Sequence, residues 1–172
     1  MIVRLRPEAK IRWSRVENLH ITTKFIGEWE ESRLGELAEA LESIPFENSI
    51  SIRVSGIGWF PQPHSPRILW AAVRGEGLPE LAAATGRACA TLGIPTEERP
   101  YTPHLTLARI EPRGGGPPPD LAPLRRAIAS LPGVDFGSFE ASGFHLYRSD
   151  PVGGESRYTK LSSHPIKSLR QK

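Results

Sequence analysis

Hydrophobic and polar positions along this chain switch repeatedly between a period near two and a period near 3.6. Residues 18–26 (NLHITTKFI) are rich in β-branched and apolar side chains and stop at Gly27, which predicts a strand. Over residues 30–44, Leu34, Leu37, Leu41 and Ile44 fall on one helical face ahead of Pro45, which predicts an amphipathic helix. Residues 50–59 (ISIRVSGIGW) alternate as a half-buried strand does, and the loop FPQPHSPR leads to a second strand over 68–73. Leu78, Leu81, Thr85, Ala88 and Leu92 mark a helix over 78–92, closed by Gly93. Residues 104–110 (HLTLARI) read as a strand, 121–131 as a helix stopping at Pro132, and 136–147 and 158–161 as strands. The Gly/Pro run at 114–119 reads as a long surface loop rather than a domain boundary, because helix and strand order continues beyond it.

Laid on itself, the chain shows a hidden repeat. An offset of 84 residues brings His20-Ile21-Thr22 onto His104-Leu105-Thr106. An offset of 87 brings Leu34, Leu37, Leu41, Ile44 and Pro45 onto Leu121, Leu124, Ile128, Leu131 and Pro132, and Ser55-Gly56 onto Ser142-Gly143. Leucine spacing alone is common to amphipathic helices, but its coincidence with the HxT and SG positions is not. The pattern predicts two copies of one strand-helix-strand unit, about 18–59 and 102–147, related by a pseudo-two-fold axis within a single domain spanning 1–172. Shifted back by 84, the strand over 68–73 and most of the helix over 78–92 would precede Met1. Only residues 4–10 remain to match the end of that helix, so the first copy reads as lacking its leading strand and most of its first helix.

Composition narrows the class. At 172 residues with 38 % hydrophobic and 24 % charged positions, the chain matches an ordinary globular domain. A single cysteine, Cys89, excludes an internal disulfide framework and any multi-cysteine zinc site. No apolar run approaches membrane-spanning length and residues 1–10 lack a signal-peptide core, so a soluble, cytoplasmic protein is expected. A net charge of +3 establishes no nucleic-acid partner, although 17 of the 22 basic residues are arginine, suited to bidentate phosphate contacts.

The chemistry centres on the two HxT motifs. Eight threonines among 172 positions give five histidines about 0.2 such pairs by chance. Two occur, at equivalent points of the repeat. On a strand, residues i and i+2 share a face, so each motif projects an imidazole and a hydroxyl together. Two imidazoles can divide acid and base work near neutral pH, and threonine hydroxyls can donate to non-bridging phosphate oxygens. The repeat breaks its symmetry where Phe25 corresponds to Arg109, adding one guanidinium to the second motif. Together these groups suit phosphodiester cleavage without a metal, and no Asp or Glu stands beside either motif to complete a metal site. Phe25 is expected in the core, with Thr23 and Lys24 on the other face of the strand. His64 is expected in a solvated loop, His145 on a strand surface, His164 at the surface, and Cys89 in helix packing.

On ENLHITTKFIGE (17–28), GWFPQPHSPRILWAAV (58–73), PHLTLARI (103–110) and YRSDPVGGESRYTKL (147–161), the chain resembles the two-histidine phosphoesterases, specifically the RNA 2′,3′-cyclic phosphodiesterases formerly called 2′-5′ RNA ligases. The resemblance covers nearly the whole chain. It implies a bilobal α+β fold with mainly antiparallel sheets lining a central cleft and helices outside. It also implies hydrolysis of an RNA terminal 2′,3′-cyclic phosphate to a 2′-phosphate. His20 would be the proton donor to the leaving ribose 3′ oxygen and His104 the acceptor from water. Thr22, Thr106 and Arg109 would bind the phosphate. No metal, cofactor or membrane is implied, and a monomer acting on RNA 3′ ends is expected. Family members usually carry a strand and helix before the first motif, where this chain has only nineteen residues. Other readings are a non-catalytic RNA-end-binding module, an enzyme of small cyclic nucleotides or ADP-ribose cyclic phosphate, and 2′-5′ RNA ligation.

Overall fold

A computed structural model describes residues 2–46, 49–111, 117–153 and 155–166. Residues 114–116 of the expected Gly/Pro loop lie outside the described residues. The strands are β1 (Arg12–Trp13), β2 (Ile50–Phe60), β3 (Ile68–Arg74), β4 (His104–Arg109), β5 (Asp135–Ala141), β6 (Gly143–Val152) and β7 (Glu155–Pro165). The helices are α1 (Ile2–Leu5), α2 (Leu34–Glu42), α3 (Leu78–Ala90) and α4 (Ala122–Ala129). A five-stranded sheet runs β1-β4-β3-β2-β5, and β6 and β7 form a separate antiparallel pair. This is the expected α+β class, with β1-β4 and β3-β4 antiparallel.

The chain divides into two compact units, each gathered from three segments. The first collects Met1–Ile21, Arg53–Val73 and His104–Gly137. Its apolar interior takes alternate residues of the strands, with Leu69 and Ala71 from β3, Leu107 and Ala108 from β4, Val54 from β2 and Leu124 from α4, all buried. The helical turn of α1 adds Leu5, and α1 packs on α4. The second unit collects Thr22–Ile52, Arg74–Pro103 and Ser138–Lys172. There the predicted leucine stripe packs as its spacing requires. Leu37 and Leu41 are buried with Cys89 of α3, Ile94 and Leu146 of β6, while Leu34, Ile44 and Leu92 close the edges.

Several sequence expectations need correction. Residues 18–26 do not form a strand. Val16–Asn18 is a 3-10 turn, and among the described residues the segment's ladder contact is the isolated antiparallel bridge Ile21↔Leu105. A strand needs a hydrogen-bonded neighbour along its length, and local β propensity cannot supply one. Phe25 is 75 % exposed rather than core, because a segment with no ladder has no face held against the interior. Lys24 is not a bystander: its ammonium donates to the Pro95 carbonyl and to Glu97, with the side chain nearly buried. The single strand expected over 136–147 is two, broken at Ser142, with β5 and β6 in different sheets. His164, expected at the surface, is buried on β7, where it meets Ser162 at 2.7 Å and Glu42 of α2 at 3.0 Å.

Candidate active site

Strand β4 carries most of the expected chemistry, and its pairing with β3 decides where each side chain goes. Ala72 lies opposite His104, Trp70 opposite Thr106, and Ile68 opposite Arg109. Residues 68, 70 and 72 share one face of β3, so their three partners share that face of the sheet. Simple alternation would put Arg109, five residues after His104, on the other side. A bulge prevents this. The register shifts between Leu69 and Trp70, leaving Leu107 as the extra residue of β4, and alternation restarts beyond it. Leu107 and Ala108 both turn to the buried face, and Arg109 returns to the face of His104 and Thr106, where it is exposed. Ser14, following β1, braces this irregular stretch. Its amide donates to the Leu107 carbonyl at 2.9 Å and its hydroxyl to the Thr106 carbonyl at 2.7 Å.

The His104 ring rests on an aromatic floor. Phe60 stacks on Trp70 at 4.7 Å, and both rings meet the imidazole edge-on, at 5.2 Å from Phe60 and 6.2 Å from Trp70. Gly58 makes room for this floor, since a Cβ there would stand 2.2 Å from the Trp70 indole. The sequence reading did not single out Gly58, Phe60, Trp70 or Ser14 as site residues. Gly58, Phe60 and Trp70 fall within the segment GWFPQPHSPRILWAAV (58–73) that carries the resemblance, which marked the segment without singling them out.

His20 lies in the same unit. The Ile21↔Leu105 bridge sets its backbone beside that of Thr106, on the opposite side of the pleat from Ile21. The Asn18 carbonyl accepts from His20 Nδ1 at 2.7 Å. A carbonyl only accepts, so this contact places a proton on Nδ1. His20, His104, Thr106 and Arg109 thus belong to one unit. Thr22, exposed, opens the other.

The remaining candidates are elsewhere. His64 is in an exposed loop, as expected. His145 is exposed on β6 beside Ser163 and Lys160, and partial burial, then the Lys160 ammonium, hold its pKa below the ordinary value. Cys89 is fully buried and burial pushes its thiol up, so it packs rather than reacts. Among the described residues, no three His, Cys, Asp or Glu side chains gather as a metal site, and no helix is long and apolar enough to cross a membrane.

Known proteins place these observations in context. The family described as LigT-like phosphoesterase matches residues 2–70 and 73–155. The RNA 2′,3′-cyclic phosphodiesterase of Aeropyrum pernix is 38 % identical over 135 residues, covering 77 % of this chain and 73 % of that protein. A crystal structure of TT0787 from Thermus thermophilus superposes with a TM-score of 0.78 at 26 % identity, covering 98 % of this chain and 89 % of the other. E. coli LigT complexed with 3′-AMP gives a TM-score of 0.73 at 26 % identity, covering 96 % and 88 %. Matched over most of its length, with both HxT motifs intact, this chain belongs to the LigT-like phosphoesterase family.

Proposed function

We propose that this protein hydrolyses the terminal 2′,3′-cyclic phosphate of RNA to a 2′-phosphomonoester by two-histidine acid-base catalysis, without a metal. Water attacks phosphorus while His104 accepts its proton. The bond from phosphorus to the ribose 3′ oxygen then breaks, and the imidazolium of His20 gives its proton to that oxygen. The hydroxyls of Thr22 and Thr106 donate to the non-bridging oxygens, and the Arg109 guanidinium offsets the charge that builds in the five-coordinate transition state. The observation that most supports this reading is the bulge at Leu107, which gives Arg109 the same face as His104 and Thr106. The relatives' name, RNA 2′,3′-cyclic phosphodiesterase, supports the substrate.

The test is incubation with an oligonucleotide ending in a cyclic phosphate, in excess EDTA, with product ends resolved chromatographically. The expected product is the 2′-phosphate, formed at the same rate with and without chelator. His20→Ala and His104→Ala are each expected to lower kcat by about 10²–10⁴-fold. Absence of product in the wild-type protein sinks the reading. A 2′-phosphate that forms only when EDTA is left out overturns its metal-free part.

A further inference from the structure

Strand β1 sits at the edge of the five-stranded sheet, and its register sets Arg12 directly opposite Arg109 of β4. Directly opposed residues of an antiparallel pair project from the same face with Cβ atoms about 5 Å apart. The Arg12 side chain therefore belongs to the face of His104, Thr106 and Arg109. Two like charges at such positions oppose the pairing that brings them together. Glu111 lies against the pair, its two carboxylate oxygens 3.0 and 3.1 Å from one Arg12 nitrogen. Glu111 is 59 % exposed at its side chain and Arg12 38 %, so this is a wet, exchangeable contact rather than a buried lock. The partners of Thr106 and Arg109 on β3, Trp70 and Ile68, are two residues apart, so the two side chains stand about 7 Å from each other along the strand, and Arg12 lies beside Arg109 at the sheet edge.

We propose that Arg12 holds the phosphodiester adjacent to the reacting phosphate, with Arg109 between the two, so that the enzyme favours RNA oligonucleotides over mononucleotide cyclic phosphates. A mononucleotide has no second phosphate to offer this position. The proposal rests on the hydrolase reading above and names the substrate class of the same site.

The experiment compares kcat/KM for a nucleoside 2′,3′-cyclic phosphate and for a short single-stranded RNA ending in the same group, over a series of KCl concentrations. The wild-type protein should favour the RNA. Arg12→Gln should lower the RNA-to-mononucleotide ratio about ten-fold, chiefly through KM, and reduce the logarithmic salt slope for RNA by about 0.7. Glu111→Gln should raise the ratio by removing the competing carboxylate, and it decides the matter if Arg12→Gln fails to fold. Equal kcat/KM for the two substrates in the wild-type protein, or a ratio that neither variant moves, overturns the proposal and leaves the hydrolase reading standing. No turnover of either substrate overturns both.

Discussion

His104 is a half-buried strand histidine whose ring is packed edge-on by two aromatic side chains. Phe60 and Trp70 meet its ring edge-on, and the Trp70 indole occupies the space that a side chain at Gly58 would take. Gly58→Ala should force the Trp70 indole to shift, costing about 1–3 kcal/mol of stability by overpacking. Under the proposed mechanism it should also lower kcat by more than it raises KM, because the His104 ring shifts while Thr106 and Arg109 stay in place. Urea denaturation alongside steady-state kinetics checks both, and unchanged kcat in a destabilised protein would show the floor to be structural only. Residue identity by itself announced His20 and His104, through the repeated HxT spacing. It did not announce His164, which satisfies its buried ring with Ser162 and Glu42, a partner 122 positions away.

The elements illustrate where local pattern suffices. Leucine spacing placed α2, α3 and α4 to within a few residues, because an amphipathic stripe is a local property that the core then accepts. It was less informative for the strands. Residues 18–26 have strand composition and no ladder, while 136–147 has continuous propensity and a break at Ser142. At the start of β5, Asp135 accepts from the Gly137 amide, and its carboxylate also meets Arg53. The amide first, and then the guanidinium, hold its pKa below the ordinary value of 3.8. A depressed folded value means that the stabilisation is complete above the unfolded pKa and disappears as pH falls through the folded one. Asp135→Asn should therefore be destabilising near neutrality, with the gap to the wild-type protein closing between about pH 5 and pH 2. A gap that persists at the acid end would argue against this titration.

At the scale of the molecule, each unit has its own apolar interior, and in the second it centres on Leu37. Leu37 is 1 % exposed, so Leu37→Ala should leave a cavity costing about 2–5 kcal/mol, read as a lower urea midpoint. The stripe that contains Leu37 was plain in the sequence, and so was the family. The HxT pair with its offset of 84 residues determined the expected chemistry, and the hydrophobic periods determined most of the elements. Only the tertiary structure decided that a bulge at Leu107 returns Arg109 to the face of His104, that Arg12 stands across from Arg109, and that Trp70 and Phe60 underlie the imidazole. Periodicity reports which face of its own element a residue occupies. Register is set by hydrogen bonds between segments distant in sequence, 32 to 41 residues for β3 with β4 and nearly a hundred for β1 with β4, and a shift of one position there sends a side chain to the opposite side of the sheet.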